Sequence, residues 1–219
     1  MIITGANGTL GHAVLRRQQN AGARVASVHG ASGNDDPAAG TFRTDNLADE
    51  AEAREVIGRA SEWLGAIDSL IHLAGGFSWI EVGSSKLADW RAMFDANIAT
   101  AVATIGAALP TMRDGGSIVL VGANSAQPAG AGFGPYGAAK SGVARLVEAL
   151  SIELRPRRIR VNAVLPAIID TPKNRSDMPD ANPETWTGLD AIADVIAFLV
   201  SDHSRAINGA LVPVTNAAR

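Results

Sequence analysis

Four short runs of this chain, Val25–Val28, Leu70–Leu73, Ile118–Val121 and Val161–Leu165, are continuously or almost continuously apolar. A strand with one wet face alternates apolar and polar residues, whereas a strand covered on both faces reads apolar throughout. Such strands need helices above and below them. The intervening segments supply these. Strand candidates at 1–4, 23–29, 41–44, 67–73, 116–122, 159–165 and 210–214 alternate with helix candidates near 9–21, 47–64, 86–109, 135–155 and 189–201. The alternation predicts an α/β fold: a single doubly wound domain over residues 1–219, with a parallel seven-stranded sheet and helices on both faces. No internal repeat or low-complexity tract interrupts it. The segment Pro166–Gly188 carries four prolines and little periodicity, and is read as a lid-like loop at 166–188, since long irregular loops often cover active sites.

Composition narrows the function classes. A net charge of −3 gives no electrostatic footprint for nucleic acid or for an anionic membrane. The absence of cysteine rules out disulfides and thiolate chemistry. No apolar stretch approaches the roughly 18 residues that span a bilayer, and no basic, apolar, small-residue leader opens the chain. The expectation is a cytoplasmic protein without membrane or nucleic-acid partners and without a metal site. The first strand begins at Met1, which raises the expectation that the natural chain starts upstream or that the edge of the site is trimmed.

Thr4-Gly5-Ala6-Asn7-Gly8-Thr9-Leu10-Gly11 follows the first strand and opens the first helix. Glycines there permit a tight turn and a close backbone approach to a pyrophosphate, and the helix N-terminus offers N–H groups to it. The candidate contacts are Gly5, Asn7, Thr9, Leu10 and Gly11. A dinucleotide signature also expects an acid about 20 residues on, for the adenosine ribose. Here the second strand ends at His29, and the first acid in the chain is Asp35. Arg16, Arg17 and Arg24 precede it, so a 2′-phosphate meets cations and no repulsion. That tilts the cofactor toward NADP(H) over NAD(H); the alternative is that the arginines are solvated helix positions.

Tyr136 and Lys140 are four residues apart, on one face of a helix and about 5–6 Å from each other. A cation beside a phenol favours phenolate and lowers its pKa from about 10. The pair is therefore read as a proton donor or acceptor working near neutral pH, against the alternative of two unrelated surface residues. His72, inside an apolar strand, is read as a satisfied core histidine.

With the glycine loop, Leu73-Ala74-Gly75-Gly76 and Tyr136-x-x-x-Lys140 in this order and spacing, the chain resembles the short-chain dehydrogenase/reductase family over nearly its whole length. The resemblance implies a Rossmann fold and an NAD(P)H-dependent oxidoreductase with a small carbonyl or quinonoid substrate. Tyr136 would exchange the proton, Lys140 would lower its pKa and contact the nicotinamide ribose, and Asn97 would support a water linked to the lysine. Asp45, followed by Asn46, matches the family's adenine contact. Ala74, Gly75 and Gly76 match the turn near the cofactor ribose, and Pro166, Ile169 and Thr171 the segment that holds the nicotinamide. The resemblance also implies a homodimer or homotetramer through the 86–109 and 135–155 helices.

Two departures stand out. The glycines are spaced Gly-x-x-Gly-x-x-Gly, and the family's serine, 13 residues before the tyrosine, is Ala123 here, with Ser125 two positions off. In lacking the serine, and in Asp170-Thr171-Pro172-x-Asn174-Arg175-x-x-Met178-Pro179 with Trp186-Thr187 after it, the chain is similar to the dihydropteridine-reductase-like branch. Such enzymes reduce a quinonoid ring, which delocalises its own charge. Phe77, Trp79, Ser125 and Trp186 are candidate substrate contacts; for the three aromatics the alternative is packing. A dinucleotide-binding sensor or scaffold that has lost catalysis is the reading from another class.

Overall fold

The computed structural model describes residues 1–215. Seven strands, β1 (Ile2–Thr4), β2 (Ala26–His29), β3 (Thr41–Arg43), β4 (Ile67–His72), β5 (Met112–Val121), β6 (Arg160–Pro166) and β7 (Leu211–Val214), form one sheet in the order β3-β2-β1-β4-β5-β6-β7. Every neighbouring pair is parallel. The apolar runs explain the layers. Successive strand residues point to opposite faces, so Ile2, Leu70 and Ile118 enter one core and Ile3, Ile71 and Val119 the other. The first core is closed by α2 (Glu50–Leu64), α4 (Thr100–Ala108) and α5 (Gly134–Glu153); the second by α1 (Thr9–Asn20) and α7 (Leu189–Val200).

The strand order reverses direction at β1 and β4, and ligands of such sheets bind at the carboxyl ends of the strands beside that switch. The loops after β1, β2, β4 and β5 there carry Gly5, Gly30, Leu73–Gly76 and Gly122–Ser125, with His29 closing β2. The predicted helix over 86–109 is not continuous. It divides into α3 (Leu87–Phe94), a π turn (Asp95–Ala99) and α4. Strand β5 starts four residues earlier than the predicted 116–122, because Met112 pairs with Ile67 through a register irregularity that polar Arg113-Asp114 conceals in the sequence. The 166–188 segment is more ordered than its prolines imply. It contains α6 (Pro172–Asp177), capped by the Thr171 hydroxyl, and a parallel bridge from Ile169 to Thr187.

Candidate active site

The glycine loop is held by close contacts. Gly5 adopts φ +67°, and a Cβ there would lie 2.7 Å from the Ala74 N; only glycine lets the loop after β1 press against the turn after β4. A Cβ on Gly11 would overlap the Gly5 carbonyl, so the start of α1 also sits against the loop. Gly8 caps α1 without a side-chain bond, and its first turn carries no acid. Those N–H groups and the positive end of the helix are left to an anion.

Gly5, Asn7, His29, Ala74 and Gly75 line a cleft of about 200 Å³ beside this loop. After β3, Thr44 and Leu47 line it, and the predicted Asp45 and Asn46 do not. Asp45 instead pairs with Arg43 at 2.7 Å on the outer surface, and the Asn46 N–H donates to Glu52. The three arginines are also turned to other uses. Arg16 pairs with Asp190, Arg17 with Asp194, and Arg24 stacks over Trp63 at 4.1 Å. Arg16 and Arg17 thus join α1 to α7 and Arg24 joins the β2 entry to α2, in keeping with the alternative of solvated surface positions. His29 remains at the cleft. Both its ring nitrogens are buried without a hydrogen-bond partner, and burial, then His12, lowers its pKa. A tight glycine cradle, an acid-free helix start and a lining without a carboxylate all fit a dinucleotide.

The catalytic candidates converge at the β4–β5 end of the sheet. Tyr136 lies in the first turn of α5, and Lys140 lies one turn on, 8% exposed. The Lys140 Nζ donates to the Val121 carbonyl at 2.8 Å and lies 5.9 Å from the Tyr136 ring centroid. A Cβ on Gly75 would sit 2.9 Å from Asn97 Oδ1 and 3.4 Å from Lys140 Nζ, which places these three residues together. Asn97, 2% exposed, holds the neighbouring turn from both sides: its Oδ1 accepts from Gly76 N at 3.2 Å and its Nδ2 donates to Gly76 O at 3.1 Å.

The expected lowering of the phenol pKa is not what this geometry produces. Burial pushes Tyr136 up to about 12 and Lys140 down to about 8. Withdrawal from water disfavours phenolate and ammonium alike, and it is the cause of both shifts. His72 is a buried, neutral core residue, as its apolar surroundings implied, with burial and then the Lys140 charge lowering its pKa to about 3.

Around the phenol stands an aromatic wall. The Phe77 ring meets Tyr136 edge-on at 4.9 Å, and Phe133 packs on both, at 5.9 Å from Phe77 and 6.1 Å from Tyr136. Phe77 and Trp79 are more than half exposed. Sequence reasoning missed Phe133, although its place three residues before Tyr136 is the spacing that stacks side chains at a helix start. Ala123 is buried and Ser125 half-buried beyond it. Trp186, read as a possible substrate contact, is 3% exposed and so is a packing residue of the loop. Pro166 accepts from Asn124 N at 3.0 Å, joining the ends of β5 and β6, while the Thr171 hydroxyl accepts from Asn174 N. Among the described residues no cluster of side chains could hold a metal ion, and no helix is long and apolar enough to cross a membrane.

Beyond the glycine cradle at the switch point of the parallel sheet stand partly buried Tyr136 and buried Lys140, an arrangement suited to a dinucleotide-dependent oxidoreductase. The family model described as enoyl-(acyl carrier protein) reductase matches residues 5–216, and the chain belongs to the short-chain dehydrogenase/reductase family. L-rhamnose 1-dehydrogenase (NAD(P)(+)) of Azotobacter vinelandii is 31% identical, with 96% of this chain and 92% of that protein covered. Dihydropteridine reductase of Dictyostelium discoideum is 28% identical over 97% of this chain and 92% of its own. Among solved structures, a blue fluorescent protein from a metagenomic library, in complex with NADPH, superposes with a TM-score of 0.88 at 28% identity, covering 100% of this chain and 97% of that one.

Proposed function

We propose that the protein transfers hydride between a nicotinamide cofactor and a small carbonyl or quinonoid compound, with Tyr136 handling the proton. The observation that carries this is the phenol held beside buried Lys140 and walled by Phe77 and Phe133. A bound nicotinamide supplies the hydride. Tyr136 holds its proton at neutral pH, and burial raises its pKa further, so it can donate to a substrate oxygen or nitrogen as hydride arrives. Lys140 lies below the ring, and its ammonium stabilises the phenolate left behind. Asn97 fixes the Gly75–Gly76 turn that borders both.

No hydroxyl stands at Ala123 to share the developing charge. A conjugated ring spreads that charge itself, and the exposed Phe77 offers it a flat face. The relation to dihydropteridine reductase supports the quinonoid alternative within this reading. Retention of Tyr136, Lys140 and Asn97 favours an active enzyme over a sensor or scaffold.

For the cofactor, His29 at the cleft in place of an acid leaves no carboxylate to repel a 2′-phosphate, which favours NADP(H). Fluorescence titration is expected to show binding of both cofactors with NADPH tighter, and His29→Asp is expected to reverse the order. Binding of neither would overturn the oxidoreductase reading; unchanged preference in His29→Asp would remove His29 from it.

We also propose a homodimer or homotetramer through α3, α4 and α5 in a cytoplasmic setting. Phe94, Val102 and Ile152 on these helices are 49–64% exposed, an apolar surface that a second copy would cover. Sedimentation at micromolar concentration is expected to give a dimer or tetramer, and a stable monomer would refute it.

A further inference from the structure

We propose that His72 is a positioning residue for the active site: through Thr100 it holds the π turn that delivers Asn97 to the Gly75–Gly76 loop. The assignment rests on reading Asn97 and Lys140 as active-site residues, but its geometry stands apart from any substrate.

One backbone bond of the helix is displaced at Thr100. In an α-helix the Thr100 N–H would reach the Ala96 carbonyl, four residues back. Here it reaches Asp95, five residues back. The Thr100 side chain supplies a replacement, its hydroxyl donating to the Ala96 carbonyl at 2.8 Å. The extra residue in this turn accompanies the inward aim of Asn97, which then spans both backbone groups of Gly76 and also donates to Met93 O at 3.0 Å. Single π turns inside helices occur frequently at functional sites for this reason: they redirect one side chain.

His72 fixes the direction of the chain of bonds behind that turn. Its Nε2 lies 3.3 Å from the Thr100 Oγ1 and its Nδ1 lies 2.9 Å from the Thr4 Oγ1. A threonine hydroxyl has one proton to give. Thr100 gives its proton to Ala96, so toward His72 it must accept, and the hydrogen resides on Nε2. Nδ1 is then the acceptor, and Thr4 donates to it. The result is a directional relay of hydrogen bonds, Thr4 to His72 to Thr100 to Ala96, whose three side chains are at most 9% exposed. Its imidazole stays neutral across the working pH range, since burial and then the Lys140 charge hold its pKa near 3. Thr4 is the residue before Gly5, so the relay ties the entry of the cofactor loop to the asparagine at the catalytic end. A histidine suits the central place because it carries a donor and an acceptor at opposite ends of a rigid ring.

The test uses the full-length protein without substrate or cofactor. The ¹⁵N shifts of His72 are expected to report the neutral Nε2–H tautomer. Amide hydrogen exchange at Gly76, whose N–H is held by Asn97 Oδ1, is expected to quicken about tenfold in Thr100→Val and to return to the wild-type rate in Thr100→Ser, which restores the hydroxyl. Three results overturn the proposal: an Nδ1–H tautomer in the wild type, unchanged Gly76 protection in Thr100→Val, or equal acceleration along all of β4, which marks general loosening. Should Thr100→Val not fold, the tautomer and the Thr100→Ser exchange rate decide it, a loss of Gly76 protection in Thr100→Ser counting against the hydroxyl relay. NADPH titration of the wild type is scored separately, so failure of the oxidoreductase reading leaves these readouts intact.

Discussion

Tyr136→Phe is expected to lower turnover by about 10²–10⁴-fold, the range a positioned proton donor contributes, while changing the affinity for NADPH by less than about twofold, since binding energy from unaltered contacts is retained. The substitution removes one oxygen and keeps the ring that packs edge-on against Phe77 and against Phe133. The aromatic wall and the fold should therefore survive, and the loss should fall on kcat. The measurement is NAD(P)H oxidation with quinone and carbonyl acceptors, alongside fluorescence titration of the cofactor. Near-normal turnover in the variant would show that the proton comes from elsewhere. A parallel loss of cofactor affinity would show that the ring's place, and not its hydroxyl, was the essential part.

The second large effect is on stability. Lys140 is buried, and its pKa falls from 10.5 to about 8. The folded chain therefore gives up a proton that the unfolded chain still holds between these values, and stability rises with pH across that window. Between pH 8 and pH 10 the gain is expected to be about 2 kcal/mol, from linkage with these two pKa values. Below pH 8 the full penalty of a desolvated ammonium remains. Tyr136 acts in the opposite sense: its pKa rises from 10 to about 12, so its contribution is complete below pH 10 and is lost from there toward pH 12. Urea titrations of the cofactor-free protein should show a curve that climbs to about pH 10 and then turns down. In Lys140→Met the climb should vanish. A flat wild-type profile would mean that Lys140 is solvated. Under the proposed role of Lys140, the penalty is a stability cost of the kind that active sites carry.

Much of the fold was legible along the chain. The apolar runs at Leu70–Leu73, Ile118–Val121 and Val161–Leu165 located β4, β5 and β6 because burial on both faces removes polar alternation. The order of motifs then carried the family. What failed to show had a common cause. Asp95–Ala99 reads as helix because a π turn has no propensity signature; it depends on the Thr100 hydroxyl and on His72, 28 residues earlier. Phe133 escaped notice because its partner Phe77 lies on another element. Arg16, Arg17 and Arg24 looked like an anion site because the partners Asp190, Asp194 and Trp63 lie far along the chain.

Local patterns, then, determined by themselves the layer architecture, the glycine cradle and the Tyr136–Lys140 spacing, since each is set by residues within one or two turns of each other. The tertiary structure alone decided the charge states and the facing partners. Desolvation depends on everything packed around a group, which is why the phenol and the ammonium both moved toward neutrality. Pairing depends on which distant elements meet, which is why His29 lines the cleft while three arginines turn away from it.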